Sequence, residues 1–572
     1  MGNAVPVVSF RNFTFQYLAQ AEPTLYDISL DIYPGEKILI VGPSGSGKST
    51  LGHCINGLIP FAYKGKSTGS LKVAGLEVKE QDIFKLSKHV GTVLQDTDGQ
   101  FVGLTAGEDI AFALENDRVP TPEMRERVLR VAKMVDMDRF LSNSPYELSG
   151  GQKQRTSLAG VMIDDVELLL FDEPLANLDP ATGKTAIEII DDIHKSTKKT
   201  IIIIEHRLED VLHRYVDRIV VVNDGRIVAD MPSDELLCGD VLKENGIREP
   251  LYVTALKYAG VKLAPAMRPG HIETLDVSSC ANALKTWMRE AERMEEPRLG
   301  ETLLNMEHID FSYDPGKPVL KDVSFSVRRG EMFSVIGRNG AGKSTLTKLL
   351  CGFEKPDGGK IFYEGKNIEE QTIRERAEYI GLVMQNPNQM ISETLIAKEV
   401  GLGLKLRGVD AETAKERVKK ALDICGLSPF IDWPVSALSY GQKKRVTVAA
   451  MLALDPKILL LDEPTAGQDY RHYTEIMRFL LDLNKKGVTV ALITHDMHLM
   501  LEYTPRAVVL SDGELIADAA ASDILTDDRV IERANLKETS LYTLARRCGI
   551  ANAAAFVQCF IDHERWVRER EA

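Results

Sequence analysis

The chain lacks any long apolar run. A helix needs about 20 consecutive apolar residues to cross a bilayer. Apolar stretches such as 166–171 (interrupted by Glu167), 201–204 and 458–461 fall well short. The first residues, MGNAVPVVSF, have neither the charged nor the apolar region of a secretory signal. Pro6 stands where N-myristoylation requires Ser or Thr. The seven cysteines (Cys54, Cys238, Cys280, Cys351, Cys425, Cys548, Cys559) form no CxxC pair. Their odd number and scatter point to reduced thiols and away from a zinc site or a disulfide framework. Excess positive charge is missing too: 70 Lys and Arg face 84 Asp and Glu, a net charge of −14. Nucleic-acid binding over a broad face needs a basic surface, so that class is disfavoured. Aromatic residues make up only 6%, which leaves the cores to Leu, Ile, Val and Ala. These absences lead to the expectation of a soluble cytoplasmic chain.

What is present is globular material: 572 residues, 44% hydrophobic and 27% charged, which excludes disorder as the main state. At roughly 100–200 residues per domain, the length suggests three or four domains, or two large ones. Internal similarity decides between them. VGPSGSGKST (41–50) returns as IGRNGAGKST (336–345), LSGGQKQR (148–155) as LSYGQKKR (438–445), and LLLFDEP (168–174) as LLLDEP (459–464). His206 returns as His495. The spacing is far too long for a solenoid, so the chain is a duplicated domain. The similarity extends to VLKENGIREPLYVTALKYAGV (241–261) and VIERANLKETSLYTLARRCGI (530–550), which read as short helical tails. The expected plan is a first domain at 1–235, tail and linker at 236–302, a second domain at 303–525 and a tail at 526–572. Within the linker, KTWMREAERMEEPR reads as a solvated charged helix.

Pattern supplies the coarse structure. Residues 37–41 and 333–336 are apolar strands directly before glycine-rich loops, and 49–58 and 344–350 then read as helices. Continuous apolar runs at 166–171, 200–204, 458–461 and 488–493 suit buried parallel strands. Strands alternating with helices imply an α/β domain. The loops match GxxxxGK[ST] twice, as Gly42 to Ser49 and Gly337 to Ser344. Glycines let the backbone N–H groups turn toward phosphate oxygens at a helix N-terminus, and Lys48 or Lys343 adds a positive charge. The hydroxyl of Ser49 or Ser344 can ligate Mg²⁺. Asp172 and Asp462 close apolar strands, at the sheet edge where ligands sit in α/β folds. Glu173 and Glu463 follow as candidates to orient or deprotonate a water. His206 and His495 follow the next apolar strands, in IIIIEHR and ALITHD, and read as sensors of a terminal phosphate.

Together these motifs resemble ATP-binding cassette (ABC) ATPases with two fused nucleotide-binding domains, whose signature is LSGGQ, here Leu148–Gln152. The resemblance implies an α/β fold of two P-loop NTPase domains in tandem, each with a RecA-like core, a helical subdomain and a β subdomain, and each followed by a short helical tail. It implies ATP and Mg²⁺ as cofactors. It also implies composite sites, the signature of one domain facing the Walker A loop of the other. The first site would combine Lys48, Ser49, Gln95, Asp172, Glu173 and His206 with Ser439, Gly441 and Gln442. The second would combine Lys343, Ser344, Gln385, Asp462, Glu463 and His495 with Ser149, Gly150, Gly151 and Gln152. The phosphate cradles would be completed by Gly42, Ser44, Gly45, Gly47 and Thr50, and by Gly337, Asn339, Gly340, Gly342 and Thr345. Mg²⁺ would lie against Ser49, Gln95 and Asp172, and against Ser344, Gln385 and Asp462. Tyr17 and Tyr313 match the family's aromatic that stacks on adenine; the alternatives are that Phe15 and Phe311 do so, or that the tyrosines are strand core. Two positions depart from the pattern: Tyr440 replaces the first signature glycine, and Gln468 replaces a usual Leu. Two hydrolytic sites of unequal rate are the expectation.

The segments QDTDGQFVGLTAGEDIAFALEN (95–116) and QNPNQMISETLIAKEVGLGLKL (385–406), with the tails, resemble the ATPases of energy-coupling factor (ECF) importers. Such importers take up vitamins and transition metals. That resemblance implies an integral-membrane coupling subunit and a membrane substrate-binding subunit on separate chains, no nucleic acid, and a place on the cytoplasmic face of the membrane. Both halves being fused, no ATPase homodimer is required. The helix after each Q-loop glutamine, placed at about 98–104 and 388–395, would receive the partner's coupling helices. The alternatives are the fused ATPase of a monosaccharide importer and a soluble twin-cassette translation factor, which usually carries a long basic arm that is missing here.

Overall fold

The computed structural model describes residues 5–94, 98–176, 178–292, 300–465, 468 and 470–571. Gln95 therefore lies outside the described residues. The chain divides into two compact units, Met1–Leu284 with Asp469–Arg471, and Lys285–Gln468 with His472–Ala572. Each contains a six-stranded sheet, a four-stranded antiparallel sheet and a group of helices.

The six-stranded sheet of the first unit runs, in spatial order, Val90–Val93, Leu168–Asp172, Thr200–Ile204, Lys37–Val41, Arg218–Asn223, Arg226–Met231. The second unit repeats that order as Ile380–Val383, Ile458–Asp462, Thr489–Thr494, Met332–Ile336, Arg506–Ser511, Glu514–Ala520. All pairings are parallel except the last of each, which is a hairpin. The central strands KILIV, LLLFD and TIIII are buried at every position, as expected of runs with no polar alternation. Smaller sheets, Leu25–Ile32 with Val8–Tyr17, Gly65–Val73 and Leu76–Glu77, and their counterparts Lys317–Arg328, Thr302–Asp314, Gly358–Tyr363 and Lys366–Asn367, close the cores from one side. Phe10, Phe15, Leu30, Ile38, Ile55 and Leu170 fill the first core, and Phe311, Phe325, Val335, Leu349 and Leu460 the second.

In each unit three helices pack together as a group: Ala106–Asn116, Thr121–Met134 and Gly150–Met162 in the first, Ile396–Leu406, Ala411–Ile424 and Tyr440–Ala453 in the second. Val400, Leu404, Val418, Leu422, Val446 and Ala449 pack together between the latter three.

Three expectations need correction. The helix expected over 49–58 ends at Ile55, because Gly57 adopts φ 80° and turns the chain into a separate short helix, Leu58–Phe61. The segments 98–104 and 388–395 are not helices beyond one 3₁₀ turn each, Asp98–Gln100 and Pro387–Gln389. Their backbones bond to side chains of the helices that follow. Asp109 accepts from the N–H groups of Val102 (2.8 Å) and Gly103 (3.1 Å), and Glu399 from those of Ser392 (2.9 Å) and Glu393 (2.7 Å). The linker helix Cys280–Glu290 is not merely solvated. Cys280 and Leu284 are fully buried, and Trp287 packs edge-on against Phe556 and His563 of the C-terminal helix Ala553–Glu571.

At the foot of the first sheet, the Lys37 ammonium pairs with Asp191, both nearly inaccessible, and Lys195 (2.6 Å) also reaches Asp191. The second unit carries Met332 and Leu481 at the corresponding positions of its strand and helix. Breaking a buried pair strands an ion, whereas replacing both partners with apolar groups can be neutral. Asp191→Leu alone is therefore expected to destabilise the first unit by about 3–5 kcal/mol. The double variant Lys37→Met/Asp191→Leu should recover most of that loss in denaturant unfolding.

Candidate active site

The glycine-rich loops leave the centres of the sheets and wind directly into helices Lys48–Ile55 and Lys343–Cys351. Gly42 and Gly337 lie so close to a neighbouring strand that a Cβ would stand 2.1 Å from the Val222 carbonyl oxygen and 2.2 Å from that of Leu510. Gly47 and Gly342 both adopt φ 102°, which opens each loop onto its helix. Inside each loop the lysine curls back. Lys48 Nζ donates to the carbonyls of Gly42 and Pro43 (both 2.8 Å), and Lys343 Nζ to those of Gly337 (2.7 Å) and Arg338 (3.0 Å). A positive charge thus sits beside helix N–H groups that already favour anions. Ser44, Gly45, Asn339 and Gly340 form the turn of each loop, and Thr50 and Thr345 lie in the first helical turn.

The acidic residues stand across from the loops. Ser49 Oγ lies 3.4 Å from Asp172 Oδ1. Burial, then the neighbouring Glu173, pushes the Asp172 carboxyl up to about 6. Burial likewise raises Asp462 above the usual carboxylate range, with Glu463 adding to the effect. These are oxygen donors desolvated at a strand end, a chemistry that suits a hard divalent cation bridging to phosphate. Glu173 and Glu463 are non-glycine residues in the left-handed region, at φ 50° and 44°. Such backbone costs of order 1–3 kcal/mol and clusters at functional sites. It is held by N–H bonds of 2.8 Å from Glu173 to the Ile204 carbonyl and from Glu463 to that of Ile493.

The histidines meet these glutamates differently. His495 Nδ1 lies 2.7 Å from Glu463 Oε1. His206 Nδ1 lies 4.0 Å from Glu173 Oε1 but 3.1 Å from Glu205, a carboxylate with no exposed surface. Glu205 is a residue that motif reading passes over; its signal in the sequence is the contrast of IIIIEHR with LITHD.

The signatures start helices Gly150–Met162 and Tyr440–Ala453 with matching caps. Ser149 Oγ accepts from the Gln152 N–H, and Gln152 Oε1 accepts from the Ser149 N–H (2.8 Å); Ser439 and Gln442 do the same. Gly151 and Gly441 lie in the first turns of these helices. Tyr440 turns back onto the Q-loop, its hydroxyl donating to the Gln385 carbonyl (3.1 Å). Lys444 Nζ donates to the carbonyls of Met384 and Gln385, both at 2.8 Å. Burial pushes the Lys444 ammonium down to about 8, while Asp462 and Glu463 oppose that fall. The first unit has Gly150 and Gln154 at these positions, and Gln154 reaches the Pro174 carbonyl instead.

Tyr17 and Tyr313 stand beside the loop helices, their hydroxyls 3.1 Å from Thr50 Oγ1 and 3.4 Å from Thr345 Oγ1. Phe15 and Phe311 point into the cores, at 1% and 5% exposure, and so cannot be the base-stacking aromatics.

The raised Asp172 carboxyl has a measurable consequence. A folded-state value above the unfolded one means that the native state holds the proton more tightly. Its stabilising contribution is complete below about pH 4 and is lost as pH rises through about 6. Asp172→Asn is therefore expected to raise the stability of the nucleotide-free first unit at pH 7 by about 1–3 kcal/mol, and to flatten its dependence between pH 4 and 6. Thermal unfolding across that range checks both.

With this geometry in view, comparison with known proteins is informative. Residues 25–176 and 320–466 each match the family described as ABC transporter, and residues 239–311 match one described as ATP-binding cassette cobalt transporter. A Clostridium perfringens (strain 13) protein, provisionally named an ABC transporter ATP-binding protein, is 56% identical over 98% of this chain and 99% of its own length. A similarly named Enterococcus faecalis protein is 54% identical over 98% and 99%. Among solved structures, cbiO1 of Clostridium perfringens, described as part of the ABC transporter complex cbiONQ, is 32% identical over 44% of this chain and 98% of its own, with a TM-score of 0.39. The chain belongs to the ABC transporter ATP-binding family and carries two of that family's ATP-binding, ATP-hydrolysing domains in tandem.

Proposed function

We propose that the chain is the motor subunit of an energy-coupling factor type importer, driving uptake of a transition metal, a vitamin or a vitamin precursor through membrane subunits on other chains. The observation that carries this reading is the match of residues 239–311, which lie between the two ABC transporter matches, to the family described as ATP-binding cassette cobalt transporter. No helix among the described residues is long and apolar enough to cross a membrane, so the membrane path would come from partners. The motor would work from the cytoplasmic face, and its net charge of −14 would favour docking to basic coupling helices.

In this reading ATP and Mg²⁺ act together. Mg²⁺ would be held by Ser49 and Asp172 in the first half, and by Ser344, Asp462 and Gln385 in the second, with the nucleotide supplying most remaining oxygens. The ion supplies charge neutralisation on the transferring phosphoryl group. Lys48 and Lys343 place positive charge on the phosphates, and Glu173 and Glu463 align the attacking water and take its proton. Each signature, Ser149 to Gln152 or Ser439 to Gln442, would complete the other half's site. Hydrolysis would then release the closed pair and drive the partner.

Two experiments test the proposal. Glu173→Gln and Glu463→Gln, made singly in the full chain, should each lower steady-state ATP turnover; a variant with full turnover would remove its site from the motor. Purification from the native membrane should bring down a hydrophobic coupling subunit and a small membrane protein. Cobalt uptake by cells holding the complex should fall to background with Lys48→Ala, while cobalt-independent uptake of a vitamin would redirect the substrate. Recovery with ribosomes, or with a sugar permease, would overturn the importer reading.

A further inference from the structure

The two halves differ at one fully buried position beside the hydrolytic glutamate. Strands Thr200–Ile204 and Thr489–Thr494 occupy the same place in their sheets, and Asp172 and Asp462 pair in register with Ile204 and Ile493. The next residue is Glu205 in one half and Thr494 in the other, each with no exposed surface.

In the second half the bonds from Thr494 and His495 converge on Glu463. Thr494 Oγ1 donates to its Oε2 (3.1 Å), while the His495 N–H (3.1 Å) and His495 Nδ1 (2.7 Å) meet its Oε1. In the first half the corresponding bonds converge on Glu205. Its Oε1 accepts from the N–H groups of His206 (2.8 Å) and Arg207 (3.2 Å), and its Oε2 from that of Leu175 (3.2 Å). His206 Nδ1 lies 3.1 Å from the same Oε1, against 4.0 Å to Glu173.

We propose that Glu205 is a positioning residue: it holds the Nδ1 side of His206 closer to itself than to Glu173, whereas His495 is held by Glu463, and the first site works differently from the second. Anchored by three backbone N–H groups, Glu205 is a rigid platform. A carboxylate behind a histidine fixes which ring nitrogen carries the proton and where the ring points. In the second half Glu463 must both hold His495 and serve the attacking water. In the first half Glu205 takes over most of the hold on the histidine, and Glu173 meets it only at 4.0 Å. The first site is therefore the faster of the two. This inference rests on the ATPase activity of the family and is independent of the importer reading.

The test uses the full chain. With ¹⁵N-labelled histidine, and assignment by His206→Gln and His495→Gln, Glu205→Gln should shift the His206 Nδ1 resonance further than Glu173→Gln does. Glu463→Gln should shift that of His495. A His206 resonance that follows Glu173 and ignores Glu205 overturns the proposal. In a Glu463→Gln background, Glu205→Thr should lower kcat about tenfold with KM for ATP within twofold; in a Glu173→Gln background, Thr494→Glu should raise kcat. An unchanged kcat in the first background, or a loss carried by KM, also overturns it. Should Glu205→Thr fail to fold, Glu205→Gln retains an acceptor oxygen for the His206 and Arg207 N–H groups and the resonance experiment still decides.

Discussion

The chemistry of both units depends on charge placed at the ends of parallel strands that are buried on both faces. LLLFD and ILLLD run through the core without a polar break until their last residue. That residue and the next are acidic, so carboxylates emerge where water is already scarce. Desolvation is unfavourable for the charged form, and the two acids repel each other. The lysine of the glycine-rich loop and the helix N-terminus behind it are the nearest compensation. A bound polyphosphate, with the cation proposed to accompany it, would complete the balance, so that ligand binding relieves a strain created by folding.

Much of this was legible in the sequence, for identifiable reasons. Continuous apolar runs name buried strands, and residues 37–41 and 200–204 agree with the observed strands end to end. Glycine spacing marks the phosphate loops because only glycine tolerates the approach of Gly42 to the Val222 carbonyl. Other features escaped because they depend on contacts remote in sequence. Asp109 and Glu399 lie on helices, yet they hold the loops before them, and no local pattern announces it. Glu205 sits between an isoleucine run and a histidine; the contrast with ALITHD marks it as replacing a threonine, but not which side chains it meets. Trp287 breaks the charged face of the linker helix, but its partner Phe556 is far along the chain.

The duplicated halves keep their topology and diverge in their hydrogen bonds. Tyr440 departs from the signature pattern, yet it keeps the serine and glutamine cap and adds a tether to the Gln385 carbonyl. Lys444 reinforces that tether, whereas Gln154 at its position bonds elsewhere. Glu205 and Thr494 differ at the other end of the site. A homodimeric ancestor would have had to accept each change twice. Fusion allows each to be made once.

The signature serines carry one more implication. Ser149 and Ser439 each accept a bond from the amide three residues on, so the oxygen is committed as an acceptor before any ligand arrives. Its proton is still available to a ligand, beside the N–H groups of the first turn. Its rotamer is settled during folding, and the ordering that an unfixed hydroxyl would undergo on contact is already complete.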